Sequence, residues 1–315
     1  MVRFIVRRLA MLVVTLLVAS FAVYGALYLA PGSPIAALTG GRAPSPEVTA
    51  QLDATYHLND PFIVRYWHWL TAALHGDLGQ SIPLHENVST LISQRIGVTL
   101  QLVLMTSFII VLVGVGLGII GALSHGALDS GVLLSSTVSA ALPTFAAAVV
   151  LQYIFAVQLG WLPALGSGSG FVDRLEHLTL PAFALAASSV ALVTRVTRTA
   201  VREELGREHV QTAVSRGLPW SDVLRRHVLR NAAIPITTVV GITIASLIAL
   251  SAIVETAFGL NGLGAYLVQA AQNKDFAVVQ GISLVLVVAF VVTNLVVDIA
   301  YALLDPRVVL GSKAQ

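Results

Sequence analysis

The sequence predicts an all-α, polytopic membrane protein with six transmembrane helices and an extracytoplasmic segment after the first helix. Composition is the first observation behind this prediction, because 56% of the residues are hydrophobic and only 11% are charged, with a mean hydropathy of +0.85. A soluble domain carries about 25% charged residues. The second observation is a set of six long uncharged stretches, and the third is the uneven placing of Lys and Arg around them.

The six stretches are long enough to cross a bilayer, whose hydrocarbon core of about 30 Å needs roughly 20 apolar residues per helix. The first helix is predicted over residues 9–30. A cleavable signal peptide is the alternative, but this apolar run of 22 residues exceeds the usual signal core and no A-x-A-like cleavage site follows it. The chain is therefore divided into an N-terminal part, 1–97, and a core, 98–304. Core helices are predicted at 98–123, 133–159, 178–199, 231–256 and 276–304.

The segment 31–95 lies between the first two helices and is predicted to be extracytoplasmic. Its stretch 65–74 has helical composition, and Trp67 and Trp69 there are candidates for anchors at the lipid headgroups. A small packed cap on the helix bundle and a surface that contacts substrate both remain open for this segment.

Orientation follows from the basic residues, because positively charged loops remain in the cytoplasm. With the N-terminus inside, the cytoplasmic segments hold 13 of the 18 Lys and Arg residues. The sequence therefore predicts a multi-pass membrane protein with both termini in the cytoplasm.

Several function classes are disfavoured by residues that the sequence lacks. The net charge of +2 indicates no nucleic-acid partner, and the absence of cysteine excludes thiol catalysis and Cys-based metal sites. The run from Gly166 to Gly170 places Gly168 where a G-x-S-x-G elbow needs serine. No G-x-x-x-x-G-K-[ST] phosphate loop is present. We expect the chain not to be an enzyme by itself and to hold no cofactor or metal.

The loop 200–230 is the most informative segment, because a simple connection between two helices needs only a few residues. Together with the end of the preceding helix, residues 195–230 contain eight Arg and four acids. A helix is predicted over 207–216, stopped by Gly217 in the left-handed conformation and by Pro219. Ser221 is the predicted N-cap of the next helix. This pattern favours a short surface helix that docks into a groove on another protein; a loop lying on anionic lipid is the alternative.

The residues from Gln211 to Gly217 resemble the EAA loop of ABC importer permeases, whose pattern is Glu-Ala-Ala, three residues, then Gly. Ala213 and Gly217 match this pattern, whereas Gln211 and Thr212 depart from it. The longer run from Arg225 to Pro235 resembles the RHALRNALLP run of the dipeptide and oligopeptide permease family. Further matches to that family follow in chain order at 31–34, 76–81, 159–163, 178–181, 254–258 and 303–307. The resemblance covers nearly the whole chain, and the segment after the first helix is similar to the B-type member of the permease pair.

This resemblance implies the type I ABC importer transmembrane fold, a location in the bacterial cytoplasmic (inner) membrane and a set of partners. They are a second homologous permease, two cytoplasmic ATPase subunits or domains, an extracytoplasmic substrate-binding protein, a peptide substrate and membrane lipid. ATP and magnesium would be bound by the ATPases. The resemblance further implies that the loop couples this chain to an ATPase, with Ala213 permitting close approach and Gly217 setting the turn. The candidate coupling residues are Glu208, Gln211, Thr212, Ala213, Arg216, Gly217 and Leu218, and Arg225 and Arg226 are further candidates for charge pairing.

Two acids near membrane boundaries are candidates for polar contacts, since an acid at a helix centre costs about 2.5–3.5 kcal/mol on insertion scales. They are Glu255, at the end of the fifth predicted helix, and Asp298, near the end of the sixth. For both, a packed polar contact and a role in substrate contact or proton relay remain open. An ion-coupled secondary transporter is the alternative function, and glutathione or nickel chelates are the alternative substrates of the permease.

Overall fold

The computed structural model of the protein describes residues 2–29, 60–81 and 83–304. Within these ranges the chain forms helices and one isolated β-bridge, between Gln80 and Asn87. The all-α fold class is therefore confirmed. The helices run as follows: α1 Val2–Leu29, α2 Phe62–Leu74, α3 Val88–Leu123, α4 Ala127–Ala141, α5 Thr144–Gln158, α6 Phe171–Leu205, α7 Glu208–Ser215, α8 Trp220–Ala257, α9 Leu263–Gln272 and α10 Phe276–Leu304. The motif at 31–34, residues 305–307 of the last motif, and residues 31–59 and 82 of the segment 31–95 lie outside the described residues.

Five of these helices (α1, α3, α6, α8 and α10) are long and apolar enough to cross a membrane, and the pair α4 and α5 makes a sixth span if counted as one. That pair was predicted as one straight helix over 133–159, which is wrong. The two helices meet at a bend of 103°. Leu142 adopts an extended conformation, and Pro143 is the N-cap of the next helix. The helix breaks here because proline lacks an amide hydrogen and disfavours helical geometry in the residue before it.

Several helices extend beyond the predicted spans. The second span begins at Val88 instead of residue 98, the fourth runs over Phe171–Leu205 instead of 178–199, and the fifth begins at Trp220 instead of residue 231. Hydropathy detects only the part of a helix that lies in lipid, whereas the backbone hydrogen bonds continue outside it. Irregular backbone between α6 and α8 is consequently confined to Gly206–Arg207 and Arg216–Pro219.

The centre of the fold is α6, which contacts α3, α4, α5 and α8. Its buried residues include Leu178, Leu185 and Val193, which form one apolar cluster with residues of α3 and α8. We call the end of the bundle that carries residues 206–219 the loop end, and the opposite end the far end. α3 and α6 both run from the far end to the loop end, since Gly114 packs beside Val193 and Gly118 beside Thr197.

At the far end, α2 packs against α1 through aromatic side chains. The Tyr66 hydroxyl lies 2.9 Å from Ser20 Oγ, and the Trp69 ring lies 5.4 Å from the Tyr24 ring. The helix predicted over 65–74 is confirmed, and it begins three residues earlier, at Phe62. Trp67 is exposed, as an interfacial anchor requires, whereas Trp69 is half-buried in the aromatic cluster. Helix α9, between the fifth and sixth spans, was not predicted.

Candidate functional site

The loop-end helix α7 is a separate two-turn helix between two long spans. It begins at Glu208, whose carboxylate lies in the first turn, where the helix dipole favours negative charge. It ends in a Schellman motif: the Leu218 amide donates to the Ala213 carbonyl at 3.3 Å and the Gly217 amide to the Val214 carbonyl at 2.9 Å. Gly217 has φ +75, so the predicted left-handed helix stop is confirmed.

One side of α7 is anchored to its own chain. Val210 and Ala213 are buried there, three residues apart as neighbours on one helix face must be. They join an apolar cluster that includes Val201 of α6 and Val223 and Val228 of α8. The close approach that Ala213 permits is therefore to the helices of this chain, which differs from the contact with a partner that the sequence suggested.

The remaining candidate residues of this loop lie on the surface. Glu208, Gln211, Thr212, Arg216, Gly217 and Leu218 are all exposed. Three large apolar side chains are exposed beside them: Val214 by 50%, Leu218 by 42% and Trp220 by 54%. Sequence reasoning singled out Leu218 but missed Val214 and Trp220. The helical spacing gave no signal for Val214, because this residue lies four positions after the buried Val210 and would be expected on the same face.

Asn231, in α8, holds three segments together beside α7. Its side-chain amide nitrogen lies 3.4 Å from Glu204 Oε2, 3.2 Å from His209 Nε2 and 2.9 Å from the His227 carbonyl oxygen. His209 Nε2 also lies 3.4 Å from Glu204 Oε2. We call Glu204, His209 and Asn231 the polar bracket. It connects the last turn of α6 and the first turn of α7 to Asn231, about three turns into α8, and sequence reasoning missed it.

Helix α8 starts directly after the loop and continues without a break into the fifth span. Its N-cap is Pro219, so the predicted cap at Ser221 is wrong: Ser221 lies inside the helix, because the fixed φ of proline already suits the helix entrance. Arg225 and Arg226 are both exposed on its first turns. Arg226 Nε lies 3.8 Å from Asp222 Oδ1, and such an exposed pair contributes little stability.

The side chain of Glu255 is buried at the far end, where it caps helix α9. Its carboxylate accepts hydrogen bonds from Thr99 Oγ1 at 2.8 Å and from the Ala265 amide at 2.9 Å, and Thr99 Oγ1 in turn accepts from the Leu263 amide at 2.8 Å. The N-cap of α9 is Gly262, which has no side chain to cap the helix. Glu255 and Thr99 supply the missing acceptors from two other helices.

The second candidate acid, Asp298, lies in α10, and its side chain is outside the described residues. Nothing in the described residues therefore brings Asp298 and Glu255 together. Of the two roles considered for Glu255, the structure contains the packed polar contact.

Comparison with known proteins identifies relatives along the full chain. Residues 114–310 match the family described as binding-protein-dependent transport system inner membrane component, and residues 1–103 match its N-terminal companion. The chain is 33% identical over 310 residues to the oligopeptide transport system permease protein OppB of Escherichia coli, with 98% of this chain and 99% of that protein covered. It is also 33% identical over 315 residues to the oligopeptide transport system permease protein AppB of Bacillus subtilis, with the same coverage.

A solved structure shares the fold. The MetNI methionine ABC transporter, in an inward-facing conformation, aligns with a TM-score of 0.54 at 16% identity and covers 68% of this chain and 96% of the matched chain. At that identity the likeness is one of fold.

Proposed function

The chain belongs to the family of binding-protein-dependent transport system inner membrane components, and from this membership we propose that it is the B-type permease of a peptide-importing ABC transporter. In that role it forms half of a translocation pathway and binds a cytoplasmic ATPase through α7. Peptides are proposed as the substrate class because OppB and AppB, which match over nearly the whole chain, are named oligopeptide permeases. The ion-coupled secondary transporter is not favoured by these relatives.

The observation that carries this proposal is the exposure of Val214, Leu218 and Trp220 around a helix that is itself firmly anchored. Exposed apolar side chains on a soluble loop mark sites of protein interaction, and aromatic side chains are enriched among the residues that dominate binding. The buried Val210 and Ala213 hold α7 against α6 and α8, so a force applied to the exposed side is transmitted to two spans.

Each partner is proposed to have a separate role in transport. Two ATPase subunits bind ATP and magnesium, since this chain contains no phosphate loop of its own. A second permease completes the pathway, and an extracytoplasmic binding protein delivers peptide at the far end. This arrangement places the loop end and both termini in the cytoplasm, in agreement with the distribution of Lys and Arg.

The chain's contribution to transport is mechanical. Closure of the ATPases on ATP draws the coupling helices of the two permeases together, and each helix moves the spans to which it is anchored. Packed helices respond to such a displacement as rigid bodies with discrete arrangements, so the pathway opens alternately to the two sides of the membrane. Hydrolysis and release of the ATPases return the helices to their first arrangement.

The docking surface is tested by co-purification of the detergent-solubilised chain with the ATPase subunits of its transporter. Val214→Asp and Leu218→Asp each place a charge at the proposed contact while leaving the buried side of α7 intact. Leu165→Asp is the matched control, because Leu165 is a similarly exposed apolar residue in the far-end loop (63%). We expect each loop variant to weaken ATPase binding by more than about tenfold and the control to leave it unchanged.

Ala213→Glu would be a poor test, because it buries a charge inside this chain and would disturb folding. Retention of the ATPases by both Val214→Asp and Leu218→Asp would contradict docking at this surface.

A further inference from the structure

A single carboxylate clamps two arginines at the loop end. Asp129 lies in the first turn of α4, and its two oxygens accept from Arg198 Nε at 2.6 Å and Arg198 Nη2 at 2.8 Å. Arg202 Nη2 donates to the same carboxylate at 2.8 Å. Both arginines belong to α6, one turn apart. The Arg198 contact is bidentate, the arrangement that gives Arg–carboxylate pairs their strength and fixed geometry.

The clamp also includes the end of α3. The same Arg202 nitrogen lies 3.2 Å from the carbonyl oxygens of both Gly121 and Ser124. Gly121 is in the last turn of α3 and Ser124 is its C-cap, positions whose carbonyls lack partners within the helix. Gly121 leaves room for this contact, because a Cβ there would lie 3.3 Å from Arg198 Cδ and 3.0 Å from Val132 Cγ1. We define the ion clamp as Asp129, Arg198 and Arg202. It joins α3, α4 and α6 at one point.

The arginines of the ion clamp lie close in sequence to α7. Arg202 is three residues before the end of α6 at Leu205, and α7 begins at Glu208. The chain connects α7 directly to α6 and α8 only. Helix α3 packs beside α7, since Ala122 lies in the same apolar cluster as Val210 and Ala213. Helix α4 contributes no described residue to that cluster, so a displacement of α7 reaches the loop end of α4 through α6.

We propose that Asp129 is a positioning residue for transport: it makes the loop end of α4 move with α6 when α7 is displaced. This inference rests on the proposed function. The ion clamp is the element that extends the movement of α7 and α6 to α4. Removing one partner of a paired, partly buried charge leaves the other charges uncompensated, so loss of the Asp129 carboxylate would separate α4 from two neighbouring cations.

Folding of the subunit has other supports along the same helices. The apolar cluster around Leu178, Leu185 and Val193 holds α3, α5 and α8 against α6. Gly114 and Gly118 bring α3 close to α6 independently of the ion clamp. We therefore expect variants at Asp129 to assemble with their ATPases and to differ from wild type in transport.

The experiment measures peptide uptake and ATP hydrolysis in proteoliposomes that contain the complete transporter and its binding protein. Asp129→Asn keeps the shape of the side chain and removes its charge, and the double variant Asp129→Arg with Arg198→Asp restores an ion pair with reversed polarity. Asp173→Asn is the matched control, since Asp173 also lies in the first turn of a helix, α6, but at the far end.

We expect Asp129→Asn to reduce the peptide taken up per ATP hydrolysed by about tenfold, within the usual range of coupling between sites. The double variant should recover most of this ratio, and Asp173→Asn should match wild type. Because the chain contains no cysteine, spin labels on Leu128→Cys and Ser215→Cys give a second measurement. Their separation should stay constant on ATP binding in wild type and should change in the Asp129→Asn background.

An unchanged uptake ratio in Asp129→Asn would overturn the inference, as would a loss that the double variant does not recover. Failure of Asp129→Asn to fold or to bind the ATPases would also overturn it, because the role would then be structural. The proposed function itself fails in a different way, through the absence of ATP-driven peptide uptake in the wild-type transporter.

Discussion

Gly118 illustrates how a missing side chain sets the distance between two spans. A Cβ at this position would lie 2.4 Å from Thr197 Cβ and 2.8 Å from the Thr194 carbonyl oxygen, whereas a Cβ at Gly116 would meet nothing within 4 Å. Both residues are in α3, and their types alone could not separate a packing role from a place on the pathway. The close contact with α6 assigns Gly118 a packing role, since small residues allow membrane helices to approach closely.

Gly118→Ala should therefore destabilise the subunit, and Gly116→Ala should not. Overpacking a tight contact costs about 1–3 kcal/mol, while alanine in place of an unconstrained helical glycine is neutral or favourable by up to about 1 kcal/mol. Thermal unfolding of the two variants in the same detergent measures the difference. Equal midpoints for both would show that the α3–α6 contact is looser than the structure indicates.

Glu255 shows what the sequence could and could not predict at a candidate site. An acid near the end of an apolar helix is visible in the sequence, and Glu255 was singled out for that reason. One partner, Thr99, lies far away along the chain, and the other, the Ala265 amide, belongs to a helix that the sequence did not predict. The capping role therefore could not be derived without the fold. The absence of a side chain at Gly262 was the one local sign that α9 needed an external cap.

Replacing Glu255 by alanine should loosen α9 specifically. Loss of a helix cap costs about 0.5–2 kcal/mol, and hydrogen exchange of the α9 amides should accelerate accordingly. Thr256→Ala is the control, because the Thr256 hydroxyl is exposed and bonds only to the Ala252 carbonyl of its own helix. Unchanged exchange in α9 of the Glu255→Ala variant would contradict the capping role.

At the scale of elements, the long spans and the helix stop at Gly217 were predictable because they depend on local patterns, namely apolar runs and left-handed glycine. The bend between α4 and α5 depends on Pro143. This proline is visible in the sequence, but it lies inside an apolar run that is long enough for one helix. The extension of α3 to Val88 was missed because polar ends of membrane helices do not differ in composition from loops. Helix α9 was missed because its ten residues are too few for a membrane span. Arg95, inside α3, lies 4.0 Å from the centre of the Tyr266 ring, a contact that only tertiary structure supplies.

The polar bracket restrains the orientation of α7 more tightly than the two buried side chains of that helix would alone. Asn231→Ala removes the amide that contacts Glu204 and His209, so we expect faster hydrogen exchange in α7 and weaker coupling of uptake to ATP hydrolysis. Thr238→Ala is a suitable control, because this exposed residue of α8 bonds only to its own helix, at the Ile234 carbonyl. If α7 exchanges at the wild-type rate in Asn231→Ala, the bracket does not position the helix.

At the scale of the whole molecule, the proposed orientation can be read directly from single-cysteine variants, since the natural chain has no cysteine. A membrane-impermeant maleimide applied to intact cells with a permeabilised outer envelope should label Leu165→Cys, in the far-end loop, and should not label Leu218→Cys, in the loop that follows α7. Labelling of Leu218→Cys from outside would reverse the topology and remove α7 from the reach of any cytoplasmic ATPase.

We propose that a separate ATPase drives peptide movement through this chain by way of α7. The most direct test of this proposal is accumulation of a labelled oligopeptide in proteoliposomes that contain both permeases, the ATPases and the binding protein, with wild-type chain compared with Leu218→Asp. We predict ATP-dependent accumulation in wild type that is insensitive to ion gradients and is lost in Leu218→Asp. Accumulation driven by a proton or sodium gradient without ATP, and equal in the two proteins, would contradict the account.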